Sequence, residues 1–195
     1  AFSVSDGMMT QSAKEVLQYR DALWQGFVQL KKRGVLTTSV MNEIQATLLN
    51  NNAGIRSLPG TALKNAATGK IIYTPPGGKD VILDKLKNLE DYIHSDSIDP
   101  LIKMAIMHYQ FESIHPYYDG NGRTGRILNV LYLIYEGLLD QPILYLSHYI
   151  IQHKEDYYRL LQNCTFKEDY EPWILYMLKC IEESAKETIS KIKSI

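Results

Sequence analysis

The chain has 195 residues, carries 21 Lys and Arg against 22 Asp and Glu for a formal net charge of −1, and is 45% hydrophobic. This composition is typical of one soluble globular domain, and a chain of this length can bury a core without disulfides or a structural metal. Such an even charge balance excludes the strong field that non-specific binding to nucleic acid or to an anionic membrane requires, so we expect neither partner.

The first third of the chain predicts two helices. Apolar residues recur at helical spacing from Val16 to Leu30, and the basic run 31–33 followed by Gly34 is a typical helix end. A shorter apolar set follows Thr38 and ends in the polar loop 50–54, which predicts a second helix.

One small hairpin is the only strand-like region of the sequence. Segments 62–65 and 70–73 flank the turn residues 66–69, and Pro75-Pro76-Gly77-Gly78 closes the unit. This pattern predicts two short antiparallel strands that project from a helical body.

Helical patterns fill the rest of the chain. They run over 82–93, from Asp99-Pro100 through His108, over 123–135, from Ser147 through Leu161, and from Glu171-Pro172 to Ile189. About seven helices and one hairpin predict a single all-α domain, 1–195, that bears a β-flap. Its parts are N-terminal helices in 1–60, the hairpin flap in 61–75 and a helical core in 81–195.

The cysteines and the longest apolar stretch bear on the compartment. Cys164 and Cys180 are too few for a secreted disulfide scaffold and lack the spacing of a metal knuckle, so two reduced thiols are expected. The apolar stretch 127–135 contains Asn129 and has roughly half the length of a bilayer span. The sequence therefore predicts a cytoplasmic protein that does not cross a membrane.

The residues that indicate chemistry lie together between two predicted helices, in His115-Pro116-Tyr117-Tyr118-Asp119-Gly120-Asn121-Gly122-Arg123-Thr124-Gly125-Arg126. The glycines fit the dinucleotide pattern G-x-G-x-x-G, but the strand that this pattern requires is missing. The P-loop pattern fails because Arg126 stands in place of lysine. A metal site on His115 and Asp119 is disfavoured because Pro116 and Gly120 keep them off one regular helical turn.

A glycine-rich turn that runs into a helix binds phosphate, because it presents unpaired N–H groups at the positive end of the helix dipole. Arg123 and Arg126 lie three residues apart and can bind further phosphate oxygens. Asp119 can hold Mg²⁺ together with water and phosphate oxygens. His115 is mostly neutral at physiological pH in its ordinary state, so it can accept a proton from an attacking hydroxyl.

Each of these residues also has a plain structural interpretation. A histidine before proline is usually a turn residue, Asp-Gly and Asn-Gly are common turn dipeptides, and paired arginines usually form a solvated helix face. Taken together the residues favour a polyphosphate site, because a turn needs neither two arginines nor a histidine in this order.

The segment from His115 to Arg126 resembles the signature of the Fic-domain family, H-x-F-x-[D/E]-G-N-G-R-x-x-R. The one departure is Tyr117, which replaces phenylalanine; it keeps the ring that anchors the loop but adds a hydroxyl that needs a partner. The flap ending in Pro-Pro, the helix before the histidine and Tyr157-Tyr158 downstream also fall where the family has them. The resemblance implies a Fic-type helical bundle with a hairpin flap.

The resemblance also implies AMPylation, the transfer of AMP from ATP to a Ser, Thr or Tyr hydroxyl of a target protein. His115 would be the base that deprotonates this hydroxyl, and Asp119 would bind Mg²⁺ between the α- and β-phosphates. The phosphates of ATP would be held by Gly120, Asn121, Gly122, Arg123, Thr124, Gly125 and Arg126, with Asn121 on the α-phosphate. Two alternatives remain: another phosphate-group transfer or AMP removal on the same fold, and a nucleotide-sensing module with little turnover.

The hairpin resembles the family's flap, which adds to an extended segment of the target as a further strand. We expect Leu63, Ile71, Ile72 and Tyr73 to dock the target, and Ile72 and Tyr73 also to lie over the nucleotide. Tyr157 is expected on the adenine side. The other histidines are expected to be structural or surface residues: His94, His108, His148 and His153.

Many relatives also carry an inhibitory helix, [S/T]-x-x-x-E-[G/N], whose glutamate pairs with the second arginine of the signature, here Arg126. Segment 39–43 has this spacing, but Ile44 follows it and its place in the chain differs. The resemblance implies that an inhibitory helix would precede Ala1, or that a partner protein carries the inhibitor.

Overall fold

The computed structural model describes residues 10–58, 60–64, 69, 71–95 and 98–194. Within them eight helices and one pair of strands follow one another along the chain. They are α1 (Gln11–Arg33), α2 (Thr38–Leu49), β1 (Leu63–Lys64), β2 (Ile71–Tyr73), α3 (Lys79–Ile93), α4 (Pro100–Ile114), α5 (Asn121–Tyr135), α6 (Leu146–Gln152), α7 (Lys154–Lys167) and α8 (Glu171–Lys193). The predicted all-α architecture with a hairpin is confirmed.

The helix ends follow the chemistry of their sequences. The Thr10 side chain accepts a hydrogen bond from the Ala13 N–H, and Gly34 ends α1 in the left-handed conformation with its N–H bonded to the Leu30 carbonyl. The Asp99 side chain caps the start of α4 by accepting hydrogen bonds from the N–H groups of Leu101 and Ile102. Pro100 fills the first helical position, where no N–H donor is needed.

The described residues form one helix more than predicted, because the helical path breaks at His153. His153 has φ −116° and ψ 38°, which separates α6 from α7, while its Nδ1 lies 2.9 Å from the Tyr149 carbonyl. The segment contains no glycine or proline that would mark this break in the sequence. Its apolar pattern therefore predicts one helix from Ser147 through Leu161.

Helix α5 is the centre of the core. Every residue from Ile127 to Ile134 is buried, because α5 packs against α1, α2 and α4, while α8 covers α4, α6 and α7. A Cβ at Gly26 of α1 would lie 2.6 Å from Leu131 Cδ1 and 3.0 Å from Ile44 Cδ1, so this glycine allows α1 to approach both neighbours. In the described part of the chain, no helix combines the length and the hydropathy that a membrane span requires.

The hairpin is present and joins the body beside α4. Leu63 pairs with Tyr73 and Lys64 with Ile71 in an antiparallel ladder with one irregularity. The Tyr73 hydroxyl donates to the Ser113 carbonyl at 2.8 Å, which ties β2 to the last turn of α4. Of the predicted hairpin, residues 65–68 and residue 70, which include most of the predicted turn at 66–69, lie outside the described residues.

Candidate active site

The loop between α4 and α5 places a histidine and an anion-binding helix end side by side. His115 ends α4 in the left-handed conformation, with φ 49° and ψ 59°, and its N–H donates to the Phe111 carbonyl at 3.0 Å. Gly120, at φ 81°, begins α5 without a side-chain cap. The first N–H groups of α5 are therefore free of a capping side chain and available to an anion.

Asn121 closes this loop from within. Its side chain is buried, its Oδ1 accepts from the Tyr117 N–H at 2.9 Å, and its Nδ2 donates to the Tyr117 carbonyl at 2.8 Å. The side-chain amide of Asn121 is thus used to shape the turn. Contact between this residue and a phosphate would run through its backbone.

Tyr117 is fully buried, and the partner for its hydroxyl comes from a distant helix. The hydroxyl donates to Oδ1 of Asn42 on α2 at 2.9 Å, and the backbone of Tyr117 forms an antiparallel bridge with Ile55. The ring contacts Phe111, with 6.3 Å between centroids. The extra hydroxyl is therefore satisfied and the loop keeps its anchor.

His115 is held in the neutral form. The pKa of its imidazole is lowered to about 4, first by burial and then by the nearby Arg56 cation, although the Glu112 backbone and the Asp119 carboxylate act in the opposite direction. At neutral pH the ring can accept a proton, although such a low pKa makes it a weak base.

Two arginines flank the free end of α5. Nη2 of Arg123 lies 3.6 Å from Oδ2 of the exposed Asp119 carboxylate. Oδ1 of the same carboxylate accepts a hydrogen bond from the Gly120 N–H at 2.6 Å. The Nε of Arg126 donates to the Ser147 hydroxyl on α6 at 2.9 Å, so this side chain is fixed from a second element. Both guanidinium groups border the same helix end and can bind phosphate oxygens.

A buried carboxyl, that of Glu112, lies behind the two arginines at the start of α5. Burial raises the pKa of Glu112 to about 7, despite the opposing charge of Arg126. A Cβ at Gly125 would lie only 2.8 Å from Oε1 of Glu112, so glycine at this position lets α5 approach α4. Glu112 was not identified from the sequence, where it reads as one polar residue on an apolar helix.

An apolar cleft lies between the flap, α4 and α7. It contains Ile72 and Tyr73 and also Tyr158, which the sequence analysis did not select. The remaining walls are Leu63, Glu112, Ser113, Leu161, Gln162, Thr165 and Phe166. Tyr158 and Leu161 share one face of α7, three residues apart, which is the signal that could have identified it.

Tyr157 faces the core instead of this cleft. Its hydroxyl lies 2.9 Å from Nε2 of His108, and its ring packs against Trp173 and Tyr176. Only 3% of Tyr157 is exposed. The structure therefore brings Ile72 and Tyr73 to the cleft and leaves Tyr157 out of it.

Comparisons with known proteins show which family the chain resembles. The sequence pattern of the Fic/DOC family matches residues 35–133, about half of the chain. Two similar curated proteins are the protein adenylyltransferase fic-1 of Caenorhabditis elegans, 30% identical over 122 residues, and the protein adenylyltransferase Fic of Drosophila virilis, 29% identical over 114 residues. These alignments include 61% and 57% of this chain but only 23% and 22% of the relatives, so the chain spans about a quarter of their length.

Solved structures show the same fold over nearly the whole chain. A Fic family protein from Desulfovibrio desulfuricans superposes with a TM-score of 0.75 at 22% identity, over 97% of this chain and 58% of that one. Fic-1 from C. elegans superposes with a TM-score of 0.70 at 25% identity, over 98% of this chain and 55% of that one.

Proposed function

Because this chain belongs to the Fic/DOC family, we propose that it is a protein adenylyltransferase that transfers AMP from ATP to a hydroxyl of a target protein. The observation that carries this proposal is the position of His115 in the loop that leads to the uncapped end of α5, near which Arg123 pairs with Asp119 and Arg126 bonds to Ser147. A neutral base close to a polyphosphate site is what transfer of a phosphoryl group to a hydroxyl requires.

The nucleotide fits the site in two parts. The N–H groups of α5 at Gly122 and beyond would bind the phosphates together with Arg123 and Arg126. The adenosine would lie along the apolar cleft lined by Ile72 and Tyr158, whose side chains offer apolar contact to a flat heterocycle. The cleft and the helix end share Glu112 as a neighbour, so one ligand can occupy both.

Asp119 has the properties of a Mg²⁺ ligand. Its carboxylate is 74% exposed and points to the free end of α5, where the ATP phosphates would lie. In the part of the chain that the structure describes, no group of three or more His, Cys, Asp or Glu residues could hold a metal ion. This donor set fits Mg²⁺ that arrives with ATP, because Mg²⁺ keeps water and phosphate oxygens and needs only one or two carboxylates.

The chain's own residues would act as follows. The His115 ring takes the proton of the target hydroxyl, the hydroxyl oxygen bonds to the α-phosphorus, and the bond to the β-phosphate oxygen breaks, so that pyrophosphate leaves. Arg123 and Arg126 hold the β- and γ-phosphates and offset the charge of the leaving group. A bound Mg²⁺ would supply further charge neutralisation at the phosphates. Catalysis would therefore consist mainly of positioning and electrostatics.

The flap is proposed as the target-binding element. Ile71 is 54% exposed, whereas Ile72 lines the cleft, so adjacent residues of β2 face the target side and the nucleotide side. We expect Ile72→Ala to raise the KM for ATP several-fold and Ile71→Ala to leave it unchanged while raising the KM for the target. Equal effects of the two variants on the KM for ATP would contradict this division.

Labelling with Mg²⁺ and α-³²P-ATP tests the activity. Radioactive AMP should appear on the protein itself or on proteins of a lysate, and the His115→Ala variant should give no such label. His148→Ala is the matched control, because this half-exposed histidine pairs with Glu187 on α8. Absence of label, or equal label from His115→Ala, would overturn the proposal.

The same experiment distinguishes the two alternative functions. Label from γ-³²P-ATP alone would indicate phosphate transfer instead, and tight ATP binding without any label would indicate a nucleotide-sensing module.

A further inference from the structure

Arg56 is a buried arginine in the loop between α2 and the flap, and three backbone carbonyls surround its guanidinium. Only 1% of the residue is exposed. Its Nε donates to the His115 carbonyl at 2.7 Å, and its Nη2 donates to the Ile114 carbonyl at 3.2 Å and to the Pro76 carbonyl. The backbone N–H of Arg56 also donates to the Pro116 carbonyl at 3.0 Å. The residue therefore touches both sides of the candidate catalytic histidine.

This cation has no carboxylate partner among the described residues, in which the ion pairs involve other side chains. Burying a charge without a counter-ion is unfavourable, and burial lowers the pKa of Arg56 from its ordinary value. An apolar residue would avoid this penalty but would leave the carbonyls of Ile114, His115 and Pro76 without this donor. The presence of an arginine here is therefore explained by what it binds.

The three acceptors explain what an arginine does at this position. The carbonyls of Ile114 and His115 are at the C-terminal end of α4, where a cation is favourable and the last carbonyls lack helical partners. His115 also has a positive φ, which is uncommon outside glycine and needs surrounding contacts to hold it. A planar guanidinium can hold two of these carbonyls at once, whereas an ammonium group is a single point charge.

The third acceptor connects this end of α4 to the flap. Pro76 lies three residues after Tyr73, the last residue of β2, and the Tyr73 hydroxyl bonds to Ser113 on the same turn of α4. One buried side chain thus fixes the histidine loop and the base of the flap relative to each other. Its positive charge also opposes protonation of the His115 ring.

We propose that Arg56 is a positioning residue, which holds His115 at a fixed distance from the flap so that a hydroxyl presented by β2 meets the imidazole. The role in catalysis rests on the proposed adenylyltransferase function. The geometric part, a tie between Ile114, His115 and Pro76, does not depend on the activity and can be measured separately.

The test compares Arg56→Lys and Arg56→Met with the wild type, and uses Arg20→Met on exposed α1 as the matched control. We expect the Kd for MgATP to stay within about three-fold of the wild-type value, because Arg56 lies outside the proposed phosphate site at the start of α5. The kcat for transfer should fall about 10-fold in Arg56→Lys and about 100-fold in Arg56→Met, since a misplaced base costs rate more than binding. Arg20→Met should match the wild type.

The split between an unchanged Kd and a lowered kcat separates positioning from a merely structural role, and two further readouts follow the charge of Arg56 and its tie to the flap. The NMR titration midpoint of His115 should rise toward its ordinary value in Arg56→Met and stay low in Arg56→Lys, which keeps the charge. Amide hydrogen exchange in 71–78 should accelerate in both variants, because the flap base loses its tie. A wild type that does not transfer AMP would overturn the function and leave these two readouts to decide the geometry.

The proposal fails if a folded Arg56→Met keeps the wild-type kcat, His115 titration and flap exchange. If Arg56→Met does not fold, Arg56→Lys decides alone: unchanged kcat together with unchanged exchange in 71–78 would overturn the proposal. A loss of ATP binding parallel to the loss of kcat would also overturn it, because it would indicate general damage to the site.

Discussion

At the scale of single residues, the candidate site depends on side chains that satisfy the backbone as much as on those that would meet ATP. His115 adopts a left-handed conformation, and Asn121 uses its whole amide on the backbone of Tyr117. Tyr117 in turn needs Asn42 for its hydroxyl. The geometry of the His115 loop is therefore set by hydrogen bonds that its own backbone and buried side chains form.

The pair of Tyr117 and Asn42 can be measured by a double-mutant cycle. Tyr117→Phe should lower the free energy of unfolding by about 1 kcal/mol, because it leaves Oδ1 of Asn42 without its donor. Asn42→Ala should lower it by a similar amount. Urea unfolding of the double variant should show a loss smaller than the sum of the two, and strict additivity would contradict a direct bond.

Glu112 makes the stability of the protein depend on pH. Its pKa is raised from 4.5 to about 7, so between these values the unfolded chain releases a proton that the folded chain retains. Stability is therefore lost as pH rises through this window. Glu112→Gln should be more stable than the wild type at pH 8, by roughly 3 kcal/mol, and should lie within about 1 kcal/mol of it at pH 5.

Urea unfolding at the two pH values measures this effect. Glu155→Gln is the matched control, because Glu155 is exposed on α7 and the same change there should leave the stability difference between pH 5 and pH 8 unaltered. A Glu112→Gln variant with the same pH dependence as the wild type would show that the carboxyl is not titrating in this window.

At the scale of elements, the close approach of α4 and α5 builds the site. Helix α4 supplies Glu112 and ends at His115, α5 supplies the uncapped helix end, and Gly125 lies where they meet. The elements themselves follow from local sequence, since caps, prolines and glycines mark their ends. Their number differs from the prediction only at His153, where no such marker is present.

Gly125→Ala tests this contact. The new Cβ would lie 2.8 Å from Oε1 of Glu112, 3.1 Å from the Phe111 ring and 3.2 Å from the His108 ring. Overpacking of about 1–3 kcal/mol should exceed the gain of about 1 kcal/mol in helix propensity, so the variant should unfold at lower urea concentration. Gly77→Ala, where no atom lies within 4 Å, should be nearly neutral. A stabilised Gly125→Ala would contradict this packing.

At the scale of the whole molecule, distant segments meet in one site. Arg56, the flap, the loop after α4, Ser147 on α6 and Tyr158 on α7 surround the same region. A ligand that binds here contacts several elements of the folded chain and none of them in the unfolded chain. Binding should therefore stabilise the whole fold.

MgATP should raise the Tm measured by differential scanning fluorimetry. A concentration 100 times the Kd adds about 2.7 kcal/mol, which corresponds to roughly 5–10 °C for a chain of this size. Arg126→Met should lose most of the shift, because it removes one phosphate ligand, while Arg20→Met should keep it. The same shift in Arg126→Met and in the wild type would exclude Arg126 from the ATP site.

The sequence by itself determined the all-α class with one hairpin, the position of the loop at 115–126 and the resemblance to the Fic family. These features depend on the local order of residues: periodicity, caps, and glycines before a helix. Only the tertiary structure decided the contacts of Arg56, Glu112 and Tyr158, the inward turn of Asn121 and the core position of Tyr157. Whether a polar side chain is buried, and which of two adjacent tyrosines faces a cleft, depends on contacts with residues far away in the chain.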